Sequence, residues 1–404
     1  MSPVALPSHN VAVLYGPKDL RIDDRSVWPP SQGQAQVAVA STGLCGSDLH
    51  YYMHGRNGDF AIQAPLVLGH EAAGVVTAVG PGVTHLVPGQ RVAIEAGVYC
   101  RTCDFCTKGR YNLCKGMRFC SSAAVFPHAD GTLQGRMNHP AFVLHPLPDK
   151  CSFEQAALAE PLSVLIHASR RANLTSGQTV LVYGVGAIGL LACAVAQSLG
   201  ASRVVAIDIN QTRLDFARNN GFASQTFCLP PVDKAKTTDE QLRRAKENSQ
   251  AALAEFGATA GFDVVFECTG AEPVIQMSVH VRAPPILWYP RNVVPSITRF
   301  TDGHLASQTA ISGGKVMLIG MGTRNVILPL STAALREVDI QGSFRYANTY
   351  PAALALLSSG KLKNVEKLIT HRFPLKDAQR AFNLLARGQD EEGRMVLKVM
   401  IESS

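Results

Sequence analysis

Short runs of alternating apolar and polar residues fill the first part of the chain, to about residue 150. The pattern predicts strands at 11–15, 36–40, 73–79 and 91–95. Glycine and proline residues separate these runs at the spacing of turns. We therefore expect a twisted, partly closed β-domain here.

From residue 153 the spacing of the apolar residues changes from strand-like alternation to a helical period. Helical periodicity covers 153–172, and from 179 onwards apolar strand segments alternate with helical segments. The predicted strands are 179–183, 203–207, 263–267 and 315–320, and the predicted helices between them include 187–199 and 212–220. Such alternation favours βαβ units on a doubly wound parallel sheet, so the fold class is α/β with an added β-domain. The tail predicts helices at 350–358 and 375–387 and a strand at 396–400.

One stretch does not fit this alternation. About 30 residues between Arg282 and Gly313, four of them proline, separate a predicted helix from the strand at 315–320. Links of this kind in compact domains usually have ~2–6 residues. We expect an insertion at about 284–312.

Composition narrows the class of protein. The chain has 404 residues, 46% hydrophobic and 17% charged, which is typical of a globular protein. The net charge of +7 is scattered, which argues against nucleic-acid binding. The N-terminus lacks a signal-peptide pattern, and no apolar run approaches the ~20 residues of a membrane span. We expect a cytoplasmic protein that binds neither nucleic acid nor membrane.

Four of the ten cysteines are closely spaced: Cys100, Cys103, Cys106 and Cys114. In a reducing compartment such clusters favour metal over disulfides, and four thiolates suit one tetrahedral Zn²⁺. A site with four protein ligands has no open position for substrate. The spacing therefore predicts a structural zinc.

A glycine motif follows the predicted strand 179–183 and opens the next helix. Gly184 permits a tight turn, Gly186 lets the backbone approach a pyrophosphate, and Gly189 lets the helix pack closely. Asp208 ends the following strand, where a carboxylate binds ribose hydroxyls and repels a 2′-phosphate. These features predict NAD rather than NADP. Arg213 either stacks on adenine or lies on the helix surface.

Another set of metal-binding residue types stands in two glycine-flanked segments, which contain Cys45, His70 and Glu71. A catalytic zinc takes about three protein ligands. Adjacent side chains on a regular strand diverge, so convergence of His70 and Glu71 needs a bend, which Gly69 permits. Glu160 adds a carboxylate at the domain junction.

The stretch Gly69-His70-Glu71-x2-Gly74-x5-Gly80-x2-Val83 resembles the zinc signature of the medium-chain alcohol dehydrogenase family. The stretches 45–51, 110–113, 160–164, 342–346 and 370–374 are similar to the polyol branch of that family, which includes sorbitol, xylitol and L-arabinitol dehydrogenases. The resemblance covers nearly the whole chain. It implies a GroES-like domain at 1–160 with 344–404, a structural-zinc lobe at about 96–120, and a Rossmann domain at 161–343.

The resemblance also implies two zinc ions and one NAD per chain. Cys45, His70 and Glu71 would ligate the catalytic zinc, and Glu160 would hold its water or bind it in some states. The residues expected to contact the polyol are Tyr51, Glu160, Arg345 and Tyr346. Those expected to contact NAD, besides the three glycines, are Ile188, Asp208, Arg213, Ile319, Gly320, Met321, Ser343, Phe344 and Arg345.

The implied reaction is oxidation of a secondary alcohol to a ketone, with zinc as Lewis acid and hydride transfer to NAD. Ser47 and His50 either relay the proton to solvent or serve local capping and packing. Xylitol and D-sorbitol are the expected substrates, with L-arabinitol or another secondary alcohol as the alternative. The assembly would be a homotetramer or homodimer.

The insertion leaves a different class of function open. If it disturbs the cofactor site or the subunit contact, the chain would be an inactive NAD-binding structural or regulatory homologue. The segment could instead be a harmless surface loop, or a retained intron in the gene model.

Overall fold

The structure is a computed structural model that describes residues 8–231, 235–258, 260–280 and 310–403. Its strands are β1 (His9–Gly16), β2 (Asp19–Arg25), β3 (Gln34–Gly43), β4 (Arg56–Asn57), β5 (Phe60–Ala61), β6 (Leu66–Val67), β7 (Glu71–Val79), β8 (Arg91–Ile94), β9 (Gly97–Val98), β10 (Arg118–Phe119), β11 (Arg136–Pro140), β12 (Leu144–Pro146), β13 (Thr179–Tyr183), β14 (Arg203–Asp208), β15 (Gln225–Cys228), β16 (Phe262–Glu267), β17 (Ala310–Leu318), β18 (Asp339–Gly342), β19 (Ile369–Pro374) and β20 (Lys398–Glu402).

The α-helices are α1 (Gly46–His54), α2 (Asp104–Thr107), α3 (Phe153–Ala157), α4 (Ala159–Arg171), α5 (Ala187–Ser198), α6 (Gln211–Asn219), α7 (Thr238–Phe256), α8 (Glu272–Val279), α9 (Leu330–Ala334), α10 (Tyr350–Ser358) and α11 (Ala378–Arg387). Short 3-10 helices occur at Tyr111–Leu113, Ala141–Val143, Val365–Leu368 and Leu375–Asp377. None of the described helices is both long enough and apolar enough to span a membrane.

The chain divides into two compact units. The first comprises Met1–His167 and Phe344–Ser404. In its described part, a seven-stranded sheet has the order β12-β8-β7-β3-β20-β19, and β11 also pairs with β3. A three-stranded sheet, β2-β1-β6, lies beside a core in which Tyr52 stacks on Phe382. This is the predicted twisted β-domain, and C-terminal strands complete it.

The second unit is Ala168–Ser343. Its described strands form a six-stranded parallel sheet in the order β15-β14-β13-β16-β17-β18. The central strands are runs of buried, mostly aliphatic residues, as expected where helices cover both faces of a sheet. The predicted fold class, a GroES-like β-domain with a Rossmann sheet, is confirmed.

Details differ from the sequence-based expectation. The helix predicted at 153–172 is broken at Leu158 into α3 and α4. The strand predicted from Lys315 begins at Ala310 instead, with a register shift between Phe262 and Val264 that accommodates extra residues. The insertion predicted at 284–312 lies outside the described residues up to 309, and its last three residues belong to β17.

A buried ion pair ties the last strand to the middle of the seven-stranded sheet. Lys398 at the start of β20 donates from Nζ to both carboxylate oxygens of Glu71 at 2.8 and 2.7 Å, and to the carbonyl oxygen of Leu44 at 3.0 Å. Both side chains are almost fully buried. Burial by itself lowers the pKa of Lys398, but the Glu71 carboxylate raises it above its ordinary value, so the amine is charged.

The pair yields a stability prediction. Lys398→Met leaves the Glu71 carboxylate buried without its cation, which should lower the free energy of unfolding by ~3–5 kcal/mol. Urea unfolding of the chelator-treated protein, followed by circular dichroism, measures this loss. The double variant Glu71→Gln/Lys398→Met should recover much of it, because neither charge is then stranded. Lys376→Met, at an exposed lysine, is the matched control. An unchanged unfolding midpoint for Lys398→Met would contradict the argument.

Candidate active site

Cys45, His70 and Glu71 converge within the first unit. Each offers one ligand atom, and these atoms lie within 4.8 Å of one another. Cys45 is the N-cap residue of α1, and Glu71 begins β7. The bend expected at Gly69 is present, with φ of 93°, and a side chain at Gly69 would crowd Thr132 and Thr42 at 2.9 Å. One thiolate, one imidazole and one carboxylate form a donor set that suits a catalytic zinc.

Asp48 orients this cluster, although it was not among the residues predicted from the sequence. Its Oδ1 contacts the Nδ1 of His70 at 3.2 Å and accepts hydrogen bonds from Ser121 Oγ at 2.5 Å and Gly69 N at 3.2 Å. Its Oδ2 accepts a bond from Cys45 N at 3.3 Å. Burial opposes the charge on Asp48, but the His70 ring and these donors outweigh burial and lower the pKa of Asp48. A carboxylate on Nδ1 leaves Nε2 of His70 for a metal.

A signal for Asp48 was present in the sequence. Asp48 is the third residue after Cys45, which is the position where an acidic side chain closes a capping box at a helix N-terminus. The motif at 45–51 contains Asp48, but the family resemblance assigned it no role. Its second contact, with His70, comes from a distant part of the chain and needs the tertiary structure.

Glu71 retains the capacity to bind a metal although Lys398 contacts both its oxygens. Each carboxylate oxygen has two lone pairs, and one lysine uses only one on each. A Cβ at Gly43 would collide with the Glu71 carboxylate, so glycine is required opposite it. The carboxylate is therefore held in place from two sides.

Glu160, Arg345 and Tyr346 lie around this cluster. Burial raises the pKa of Glu160 to about 7, while the nearby His70 opposes this shift and Glu71 adds to it. Burial lowers the pKa of Arg345, and the neighbouring Tyr346, Glu160 and Tyr51 act in the opposite sense. The four residues expected to contact a polyol are thus electrostatic neighbours in the first unit.

Two of these side chains have polar groups available to a ligand. The Tyr346 hydroxyl is buried near Glu160, and it has no hydrogen-bond partner of ordinary geometry among the described residues. The Arg345 guanidinium lies 4.0 Å from the ring centre of Phe119 and 4.8 Å from that of Phe344. Glu160 and Tyr350 interact with the Tyr346 hydroxyl only weakly, so a ligand that hydrogen-bonds to this buried group would stabilise it.

Tyr51 differs from these two residues. Its hydroxyl already accepts a bond from Ala123 N at 3.0 Å, and its ring belongs to the core of the first unit. The Tyr51 hydroxyl can still donate one hydrogen bond to a ligand.

Ser47 and His50 share one face of α1, three residues apart. Ser47 Oγ lies 3.5 Å from Nε2 of His70, and His50 is exposed. The helix N-terminus is capped by Cys45 and Asp48 rather than by Ser47, and His50 is exposed rather than packed. Ser47 thus lies beside the cluster, and His50 lies at the surface of the same helix.

The four-cysteine cluster is formed as well. The sulfur separations are 3.5 Å for Cys103–Cys106, 3.5 Å for Cys100–Cys114 and 3.9 Å for Cys100–Cys106. Four thiolates about 2.3 Å from one zinc ion lie about 3.8 Å apart, so the spacing fits that ion. Backbone N–H groups of Thr102 and Cys103 lower the pKa of Cys100 to about 6, which favours the thiolate.

The three motif glycines of the second unit have three different surroundings. Gly184 has φ of 84°, and a Cβ there would meet Thr269 at 2.6 Å. A Cβ at Gly189 would collide with the carbonyl oxygen of Gly184, whereas one at Gly186 would meet nothing within 4 Å. The open space over Gly186, at the N-cap of α5, is where a pyrophosphate can approach the helix N-terminus.

Asp208 ends β14 beside this turn. Its Oδ2 accepts a bond from Val185 N at 2.7 Å and its Oδ1 from Asn210 N at 2.9 Å. The remaining lone pairs can accept from ribose hydroxyls. Arg213 lies on α6, half-buried, and its Nε has no partner among the described residues.

Residues 319–321, also expected to contact NAD, follow the carboxyl end of β17. Ile319 and Gly320 both donate backbone bonds to the carbonyl oxygen of Glu267, at 2.9 and 3.0 Å. Met321 is 60% exposed. The backbone of this turn is thus fixed, while the Met321 side chain is accessible.

The remaining expected NAD contacts are divided between the two units. Ile188 is half-buried on α5, and Ser343 donates a backbone bond to the carbonyl oxygen of Leu318 at 3.0 Å. Phe344 and Arg345 belong to the first unit.

Comparison with known proteins agrees with both units. The alcohol dehydrogenase GroES-like domain model matches residues 31–149, and the zinc-binding dehydrogenase model matches residues 187–284. The chain is 39% identical to sorbitol dehydrogenase of Gallus gallus over 96% of each chain. It is 40% identical to sorbitol dehydrogenase of Rattus norvegicus over 96% of this chain and 94% of that one. Among solved structures, L-idonate 5-dehydrogenase of Escherichia coli matches over 100% of both chains, with a TM-score of 0.79 and 26% identity.

Three findings lead to one assignment. They are the two donor clusters that suit zinc, the dinucleotide-binding turn, and 39–40% identity to sorbitol dehydrogenases over nearly the full chain. The chain belongs to the polyol branch of the zinc-dependent medium-chain dehydrogenases and is an NAD-dependent oxidoreductase.

Proposed function

We propose that this chain oxidises a secondary alcohol of an open-chain polyol to a ketone, with xylitol and D-sorbitol as the substrates that fit best. One observation carries the proposal: the buried Tyr346 hydroxyl and the Arg345 guanidinium lie close to Glu160, beside the Cys45–His70–Glu71 cluster. A site built to bind hydroxyl groups discriminates against substrates that lack them. The name of the relatives, sorbitol dehydrogenase, supports this substrate class.

In this proposal Cys45, His70 and Glu71 hold the catalytic zinc, with Glu160 beside it. The ion, when bound, acts as a Lewis acid that lowers the pKa of the substrate alcohol. Asp48 keeps the His70 ring in the orientation that presents Nε2. Lys398 holds Glu71 while balancing its charge. The structural zinc is held by Cys100, Cys103, Cys106 and Cys114.

Arg345, Tyr346 and Tyr51 bind and orient the polyol, while the dinucleotide turn of the second unit binds NAD. The further residues proposed to contact the cofactor are Ile188, Asp208, Arg213, Ile319, Gly320, Met321, Ser343, Phe344 and Arg345. Ser47 and His50 carry the released proton towards solvent, because they lie on one helix face with His50 exposed. The proposed catalytic domain is 1–160 with 344–404 and the proposed NAD-binding domain is 161–343, whereas the two compact units divide inside α4, between His167 and Ala168.

L-Arabinitol or another secondary alcohol is the alternative substrate, because the described residues do not select one hydroxyl configuration. The inactive-homologue alternative is disfavoured, because both metal clusters and the dinucleotide turn are complete in the described part of the chain.

We further propose a cytoplasmic homodimer or homotetramer. In the second unit, β18 is the outer strand of the described sheet, and Leu330 and Leu335 near it are 63% and 86% exposed. An exposed strand edge beside apolar side chains favours pairing with another copy. Light scattering measures the mass, and a monomer at micromolar concentration would exclude the assembly.

The direct experiment measures NADH formation with xylitol, D-sorbitol, L-arabinitol and a simple secondary alcohol. We expect turnover of at least one polyol with a higher kcat/KM than for the simple alcohol, and loss of turnover with chelator. A protein that turns over only the simple alcohol would contradict the polyol assignment. One that turns over none would contradict the enzyme assignment.

Substitution of one metal-binding residue distinguishes the roles of the two clusters. Cys45→Ser or His70→Ala should lower the zinc content from about two ions to one per chain and reduce turnover at least ~1,000-fold, because the Lewis acid is lost. Mass spectrometry of the metal content gives the count. Cys103→Ser should lower thermal stability first, and Cys151→Ala, a buried thiol in neither cluster, is the control. Full activity of Cys45→Ser would exclude the assigned site.

The choice of NAD over NADP depends on Asp208. The wild type should use NAD much better than NADP, because the carboxylate repels the 2′-phosphate. Asp208→Ser should reduce the ratio of kcat/KM for NAD to that for NADP by about tenfold or more. Asp215→Ser, an acidic residue further along α6, is the matched control and should leave the ratio unchanged. Better turnover of the wild type with NADP would show that the Asp208 argument is wrong.

A further inference from the structure

The proposed function assigns no role to the motif at Arg110–Leu113. We call residues 107–113, between the third and fourth clustered cysteines, the lobe segment. Residues 344–348, which contain the proposed polyol contacts Arg345 and Tyr346, are called the Arg345 segment. Both segments belong to the first unit.

Three hydrogen bonds join the two segments. Asn112 Nδ2 donates to the carbonyl oxygen of Phe344 at 2.9 Å, just before Arg345. On the other side of Tyr346, Asn348 N donates to the Tyr111 hydroxyl at 2.8 Å, and Asn348 Nδ2 donates to the carbonyl oxygen of Gly109 at 2.7 Å. The lobe segment therefore holds the Arg345 segment at both ends of the proposed substrate contacts.

The backbone that is held in this way is strained. Arg345 and Asn348 have φ of 50° and 57°, in the left-handed region that favours glycine. Such residues cost on the order of 1 kcal/mol or more and persist only where the surroundings enforce them. Asparagine tolerates this conformation better than arginine does. The strain therefore falls mainly on the residue whose guanidinium is proposed to bind the polyol.

Tyr111 is itself fixed by a buried network. Its hydroxyl donates to Glu95 at 2.9 Å, and its ring stacks on that of Tyr99 with centroids 4.0 Å apart. The other oxygen of Glu95 contacts Nε2 of His145 at 2.7 Å, and the His145 ring stacks on Tyr350, the first residue of α10. The network supports the Arg345 segment from the helix that follows it as well.

The cysteine cluster determines where the lobe segment lies. Gly109 N donates to the carbonyl oxygen of Cys106 at 3.0 Å, and Cys114 N donates to that of Tyr111 at 2.9 Å. The segment is thus bonded at each end to a residue that supplies one of the four thiols. An ion held by these thiolates would therefore fix both ends of the segment that contains Tyr111 and Asn112.

We propose that the lobe segment positions the substrate-binding residues, with Tyr111 and Asn112 as positioning residues, so that the structural zinc controls polyol affinity as well as stability. The inference rests on the proposed function, because it takes Arg345 and Tyr346 as polyol contacts. Loosening the lobe segment would let Arg345 relax towards an unstrained backbone and move its guanidinium away from the substrate hydroxyls. Misplacement of a binding group by about 1 Å is enough to reduce catalytic efficiency strongly.

The first test uses Asn112→Ala, which removes the bond to Phe344. We expect the KM for the polyol to rise about tenfold, with a smaller change in kcat and two zinc ions still bound per chain. Thr107→Val is the matched control, because its hydroxyl bonds to the Asp104 carbonyl oxygen inside the lobe. That variant should retain the KM of the wild type.

The second test does not depend on activity. Hydrogen exchange of the peptide that covers 344–350 should become faster in Asn112→Ala and in Tyr111→Phe, which removes the acceptor of the Asn348 N–H, but not in Thr107→Val. Cys103→Ser, which opens the four-thiol cluster, should also speed exchange in this peptide. Unchanged exchange in Cys103→Ser would overturn the control by the ion.

A chain in which Asn112→Ala changes neither the exchange nor the polyol KM would overturn the positioning role. If the wild type oxidises no polyol, the proposed function fails instead. The exchange result then still decides whether the lobe segment holds the Arg345 segment.

Discussion

The buried pair of Glu71 and Lys398 is the constraint on which the catalytic unit depends. Glu71 stands at the start of β7, and Lys398 comes from β20, 327 residues later in the chain. A carboxylate that has lost contact with water keeps its charge only where a cation or hydrogen-bond donors lie beside it, and Lys398 is the cation beside Glu71. The C-terminal strand therefore has to return to the first unit before the metal-binding cluster is complete. This explains in physical terms why the unit is discontinuous in sequence.

The same cluster is supported by a second buried carboxylate. Asp48 contacts His70 and accepts bonds from Ser121, Gly69 and Cys45, so it connects the two glycine-flanked segments that supply the ligand atoms. Hydrogen bonds from the protein itself thus help to position the ligand residues. Such partners fix the orientation of a metal-binding histidine.

The two cysteine-containing clusters contribute to the proposed reaction in different ways. The cluster at Cys45 places a donor set beside Glu160, while the four-cysteine cluster orders a lobe whose Asn112 and Tyr111 contact the Arg345 segment. In this proposal a structural metal site that takes no part in the reaction still determines the position of the substrate-binding residues. The strained backbone of Arg345 links the four-cysteine lobe to the proposed substrate site, because the lobe holds Arg345 in that conformation.

The sequence by itself determined the features that depend on local pattern. Alternation predicted the strand Thr179–Tyr183 and the helix that begins at Ala187, because buried parallel strands and their helices have distinct periods. Cysteine spacing predicted the four-thiol cluster, since its ligands lie within one short stretch. The glycines of the dinucleotide turn could be recognised for the same reason. Only the tertiary structure decided the contacts between residues far apart in the chain, such as Lys398 with Glu71, Asp48 with His70 and Asn112 with Phe344. A lysine in a C-terminal strand looks like any solvated lysine until the fold buries it against a carboxylate. Sequence pattern reports which residues face inward, whereas the partner that each buried charge meets is decided by how the strands are brought together.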